Sequence, residues 1–248
     1  MRVLIALCAL LFVASERGAL ADQVSDFYRG KTVNVWVGYG PGGGYDLSAR
    51  VLARHMGRHI PGEPTLVARN MPGAGSLTLA NWIYSVAPKD GLDFGIFGRT
   101  APIDPLLGTK GVQFDALKYT WLGSTSNEVS TCVAWHDAPV KKAEDLFTKE
   151  LTVGASGAAS PSAVFPYLFN SLLGTKIKVI NGYTTSATIL TALEAGELNG
   201  FCAWGGVPMK AMRSEWIRDK KFNVLFQIGL AKHKDHPETP LVLDLAKT

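Results

Sequence analysis

The residues with the clearest chemical potential are glycines. Gly38-Tyr39-Gly40-Pro41-Gly42-Gly43-Gly44-Tyr45-Asp46 follows the apolar run Val33 to Val37 and precedes a helix-period pattern in which Leu47, Val51 and Met56 share a face. Glycines let backbone N–H groups approach a ligand with no side chain between, and a helix N-terminus favours negative charge. Tyr39, Gly40, Gly42, Gly43 and Gly44 are therefore expected to cradle an anion, with Asp46 as the helix N-cap. Gly38, Gly40 and Gly43 also fit the dinucleotide spacing G-x-G-x-x-G, but the next strand-like run, Thr65 to Arg69, ends at Asn70 where that fold wants an acid. His55 and His59 stand four apart on the same helix without the accompanying carboxylate of a zinc site, so they read as surface residues, and no metal is expected. Gly154-x-Ser156 resembles a nucleophile elbow, yet Ala158 replaces its last glycine and no His–Asp pair accompanies it. No catalytic residue and no cofactor is assigned.

These loops need a scaffold. The chain of 248 residues is 47% hydrophobic and 19% charged, which suits one or two globular domains. Its net charge of +4 is too mild to argue for nucleic acid, and Arg50, Arg54 and Arg58 read as a solvated helix stripe. Met1-Arg2, the apolar run Val3 to Ala14 and Ala19-Leu20-Ala21 form a secretory leader over residues 1–21, so the expected location is the periplasm. Removing it takes Arg2, Arg17 and Glu16 and leaves +3. Cys132 and Cys202 then remain, in similar strand-like settings. A disulfide and two buried thiols both stay open.

Strands and helices alternate. Thr65 to Arg69, a helix carrying Leu77, Ala80, Ile83 and Tyr84, and Leu92 to Phe97 continue a β-α-β-α-β block. Two strand-like runs, Tyr119 to Ser124 and Val129 to Trp135, lead to a second such block. It contains Leu151 to Val153, a helix from Ala163 to Leu173, Lys176 to Ile180, a helix around Ile189 to Ala195, and Leu198 to Ala203. Strand-end loops fall on one sheet edge, where open α/β sheets bind ligands. They offer Ala74 and Gly75, Arg99 and Thr100, and in the second block Ser156, Gly157, Ser160, Gly182, Tyr183 and Trp204.

Phe27 to Val33, Pro41 to Asp46, Arg54 to Gly62, Asn70 to Ser76, Ala87-Pro88-Lys89-Asp90-Gly91 and Gly196 to Gly200 resemble the exported solute receptors of tripartite tricarboxylate transporters, the Bug or TctC-like family. The resemblance spans Asp22 to Leu245. It implies a type II periplasmic-binding-protein fold, an α/β architecture of two lobes with a ligand cleft between them. Residues 22–128 plus 205–248 would form the first lobe and 129–204 the second, with hinges near 124–131 and 203–207. It further implies that Tyr39 to Asp46 and Ser156 to Ser160 grip a small carboxylate-bearing solute. A monomeric receptor would pass this to membrane subunits. Family members usually run several dozen residues further, so the first lobe is expected to be incomplete and less stable. Two other functions stay open: a ligand-sensing partner of a membrane sensor, and an exported enzyme using the glycine loop for a phosphate-bearing ligand. Dicarboxylates, tricarboxylates, amino acids and aromatic acids all suit such loops.

Overall fold

A computed structural model describes residues 23–126 and 129–246; the expected leader lies outside them. After a helical segment at 23–28 (α1) come β1 (Thr32–Val37), α2 (Gly44–Met56), β2 (Thr65–Asn70), α3 (Leu77–Ser85) and β3 (Asp93–Ile96). These three strands form a parallel sheet of order β2-β1-β3, as the alternating pattern predicts. Val33, Val35 and Val37 alternate inward on β1. Their face packs on Ala49 and Ala53 of α2. The opposite face turns Trp36 onto Trp82 of α3, with ring centroids 4.9 Å apart. Helices thus cover both faces. Among the described residues no strand pairs with the outer edge of β3, which borders a trough of about 950 Å³ lined by Phe94, Phe97, Tyr119 and Trp121.

The predicted helix face is displaced. Leu47 and Val51 are 39% and 49% exposed, whereas Asp46 and Ala49 are buried. Close packing on the valine face selects the small residue, and Asp46 turns inward for reasons of hydrogen bonding given below. The run 119–124 is irregular. Its aromatic side chains cluster instead, Tyr119 lying 5.3–5.7 Å from Tyr84, Phe97, Phe114 and Trp121.

The second sheet contains β4 (Ser130–Trp135), β5 (Leu151–Ala155), β6 (Ile177–Asn181), β7 (Gly200–Gly205) and β8 (Phe222–Ile228), in the order β6-β5-β7-β4-β8. α4 (Pro161–Leu173), α5 (Ser186–Glu194) and α6 (Gly206–Arg218) connect them. β4 runs antiparallel to both β7 and β8. Cys132 faces Cys202 across β4 and β7, and a disulfide joins them.

Strand pairing corrects the expected boundary at 204. Residues 205–228 stay with the second sheet, because Phe226 of β8 and Met209 and Trp216 of α6 enter its core. The following segment stays there too. Buried Gln227 donates through Nε2 to the carbonyls of His236 (2.9 Å) and Thr239 (2.8 Å) and accepts from His233 N–H (2.6 Å). Val242 and Leu245 pack on the same core. The chain therefore does not leave the second sheet at 203–207, the hinge expected from sequence. Among the described residues, no helix is long and apolar enough to cross a membrane.

Candidate functional site

α2 begins without a side-chain cap. Gly43 takes the N-cap position in extended conformation, and Asp46 lies three residues inside the helix. The Asp46 carboxylate accepts from Gly42 N–H and Arg50 Nε at 2.9 Å each, and from Asn70 Nδ2 at 2.9 Å. Burial opposes its ionisation, but these donors outweigh burial and hold its pKa below the ordinary value. The anion that Gly42 cradles is thus the protein's own. Asp46 is an anchor of the loop and not the N-cap expected from sequence. Asn70 also binds the carbonyl of Tyr39 (2.9 Å), tying β2 to the same loop.

The two lobes meet in a closed arrangement. Gly44 N–H donates to Ser186 Oγ (3.1 Å) and Gly40 N–H to the Thr184 carbonyl (3.4 Å). On the other flank, Thr100 Oγ1 donates to the Ala159 carbonyl (2.9 Å), and Ala159 packs into the first lobe's apolar cluster. Gly75 and Gly157 face each other with φ of 71° and 133°, and a Cβ on either would strike the opposing backbone. The glycine loop therefore faces Thr184 to Ser186, while Ser156 to Ser160 face Ala74, Gly75 and Thr100. In this closed form the N–H groups of Gly40, Gly42 and Gly44 are already engaged. That differs from a cradle held open for a solute.

Between the flanks lies a cavity of about 100 Å³. Four helices bring their first residues to its wall: Gly43 and Gly44 of α2, Pro161 and Ser162 of α4, Thr185 and Ser186 of α5, and Gly205 at the start of α6. α2, α4 and α6 have no side-chain cap, while Thr185 caps α5 by accepting from Thr188 N–H (3.2 Å). Arg99 also lines the cavity; its backbone N–H donates to Tyr45 Oη (3.3 Å) and its Nη1 to Ser130 Oγ. Helix N-termini and a guanidinium all favour negative charge.

Of the residues singled out by sequence, Tyr39, Gly43, Gly44, Arg99, Ser156 and Trp204 line this space. Tyr39 is buried and stacked on Tyr45 at 4.4 Å, and its hydroxyl donates to the Gly75 carbonyl (3.1 Å). Trp204 packs on Phe222 and Trp216, and its Nε1–H is buried with no acceptor among the described residues. Gly40, Gly42, Asp46, Ala74, Gly75, Thr100, Gly157, Ser160, Gly182 and Tyr183 are not part of the wall. Several of them fasten one lobe to the other or brace a loop. Ser160 Oγ, for example, donates to the Gly157 carbonyl (2.7 Å). Sequence reasoning missed Ser48, Ser162, Thr185, Ser186 and Pro208. Thr185 and Ser186 carried a readable signal, a Thr-Ser pair just before an apolar helical run.

No family model and no curated protein matches the chain. Solved structures do. The periplasmic binding protein BugD is 19% identical, with 88% of this chain and 72% of that chain covered and a TM-score of 0.70. MatC from Rhodopseudomonas palustris, solved with bound malate, is 20% identical over 87% of this chain and 72% of that chain, with a TM-score of 0.70. A second R. palustris protein, solved with adipate, is 18% identical over 87% and 71%, with a TM-score of 0.68. The chain thus has the two-lobed α/β fold of periplasmic binding proteins, and proteins of the Bug and TctC type are among its structural neighbours.

Proposed function

We propose that this protein is an extracytoplasmic receptor. It captures a small carboxylate-bearing solute between its lobes and delivers it to the membrane subunits of a tripartite tricarboxylate-type transporter. The observation that carries the reading is the convergence of four helix N-termini and Arg99 on one interlobe cavity. Each terminus brings the positive end of a dipole, worth roughly 0.3–1 kcal/mol toward a nearby anion. A carboxylate there meets donors from both lobes, so its binding favours closure. The malate and adipate in two structural neighbours agree with this class of solute. The leader read from residues 1–21 and the Cys132–Cys202 disulfide agree with a periplasmic location.

Titration calorimetry against organic acids tests the reading. Heat of binding without turnover is expected. Arg99→Gln should weaken every carboxylate that binds by about tenfold or more, the loss of a charge-assisted hydrogen bond. Unchanged affinity in this variant would remove Arg99 from the site.

A further inference from the structure

We infer that the open edge of β3 is an acceptor for one added β-strand. The occupant is an extended segment of a separate polypeptide, apolar on both faces and acidic at its ends, paired antiparallel to β3. This trough is distinct from the interlobe cavity, although Tyr45 and Arg99 line both. The topology repeats between the lobes. β1-α2-β2-α3-β3 gives the strand order β2-β1-β3, and β5-α4-β6-α5-β7 gives β6-β5-β7 in the same way. In the second lobe the outer edge of β7 is covered by β4, a strand that lies outside this unit in sequence and runs antiparallel to β7. All six β4 residues are buried. In the first lobe the matching place beside β3 holds no strand among the described residues, only the trough of about 950 Å³.

The backbone and walls of the trough set the chemistry of the occupant. The carbonyls of Leu92 and Ile96 accept from Asn34 N–H (2.7 Å) and Gly38 N–H (2.9 Å), so alternate residues from Leu92 onward face β1. Asp93 and Gly95 therefore turn their N–H and C=O groups toward the trough. Covering those groups without a partner is costly. An extended peptide brings donors and acceptors at strand spacing, whereas an acyl chain or an aromatic ring brings none. Leu52 and Met56 of α2 line the trough on one side of β3, and Ile83 and Tyr84 of α3 on the other. A strand placed between them is covered on both faces, which calls for apolar residues on both. The same overhang keeps out the equally recessed β3 edge of a second copy. Lys89, Arg99 and Lys118 line the trough against one carboxylate, Asp93, which already accepts from Asn34 Nδ2 (2.9 Å) and Trp36 Nε1 (2.6 Å). Three cations against one engaged acid favour acidic flanks on the occupant.

Amide hydrogen exchange on the oxidised full chain is the test. The probe is a synthetic peptide with a core of about six alternating valines and isoleucines, the length of β4, and glutamates at both ends. Its control carries proline at both central positions, which removes one N–H from each edge of the peptide. The probe is expected to slow exchange at Asp93 and Gly95 by about tenfold or more, with Phe94 and Ile96, already bonded to β1, changing less. The proline peptide is expected to bind about tenfold more weakly or worse, as two backbone hydrogen bonds are lost. Lys118 is 70% exposed at its side chain, so Lys118→Glu should leave the fold intact and weaken the glutamate-flanked probe by about twofold to fivefold. No slowing at Asp93 and Gly95 at the highest soluble peptide concentration, or equal binding of the proline peptide, overturns the strand acceptor. Unchanged affinity in Lys118→Glu overturns the acidic flanks.

Discussion

The carboxylate of Asp46 accepts hydrogen bonds from three separate parts of the first lobe: the glycine loop, α2 and the end of β2. Its replacement by alanine leaves Gly42 N–H without its acceptor and the Asn70 amide with only the Tyr39 carbonyl. The expected cost is about 1–3 kcal/mol of stability at neutral pH. Because the folded-state pKa is depressed, the stabilisation is complete above the unfolded-state value and is lost as pH falls through the folded-state value. Urea melts of the wild type and Asp46→Ala should therefore differ most near neutrality. The gap should narrow as pH falls below the ordinary carboxylate range and through the depressed folded-state value. A constant gap across that range would mean that the carboxylate's charge is not what holds the loop. Sequence reading placed Asp46 at the right loop with the wrong task. A cap and an inward anchor differ by where three residues fall on the helix, and that register follows from Gly43 taking the cap.

At the scale of elements, the glycine loop and the α5 N-terminus form a joint. Gly43 sits where a Cβ would lie 3.2 Å from Thr185 Cβ and 3.3 Å from Ser186 Oγ. Its φ of −86° suits any residue, so valine at this position strains contacts across the gap and not the local backbone. Gly43→Val should keep both lobes folded, with far-UV circular dichroism unchanged, and hold them apart. Binding of every solute should fall by about a hundredfold or more, as expected when several hydrogen bonds worth about 1 kcal/mol each are lost together. Wild-type affinity in the folded variant would show that the anion sits away from this joint. The joint itself was hard to read from sequence, because the two loops lie some 140 residues apart and meet only when the lobes close. Local elements were easier. Val33, Val35 and Val37 alternate by twos, and the Asn70 to Ser76 loop falls between a strand and a helix as expected. β8 was readable too, since Phe222, Val224, Phe226 and Ile228 repeat at the strand period. No strand was read there, and its residues fell within the 205–248 stretch placed in the first lobe through the family resemblance, because strand pairing is a long-range property that periodicity does not carry.

Across the whole molecule, the receptor reading couples binding to an equilibrium between separated and closed lobes. The closed form makes four direct hydrogen bonds from lobe to lobe among the described residues, including Thr100 Oγ1 to the Ala159 carbonyl and Arg99 Nη1 to Ser130 Oγ. Thr100 is 1% exposed, and its hydroxyl bonds across the gap to the second lobe. Thr100→Val preserves side-chain shape, deletes that bond and leaves a buried carbonyl unpaired, at a cost of about 1–2 kcal/mol to the closed state alone. The closed-to-open ratio should shift by roughly 5–30-fold. Apparent affinity falls in proportion to the lost closed population, because only the closed form presents donors from both lobes. Small-angle scattering should show a larger radius of gyration for the ligand-free variant than for the ligand-free wild type. At saturating solute the two should coincide, since ligand restores closure. Arg99→Gln removes both a lobe-to-lobe bond, Nη1 to Ser130 Oγ, and a donor to the solute, so it should raise the ligand-free radius and also weaken binding beyond what the lost closure accounts for. If Thr100→Val matched the wild type in both radius and affinity, the direct contacts would contribute nothing to closure, and the solute alone would bring the lobes together.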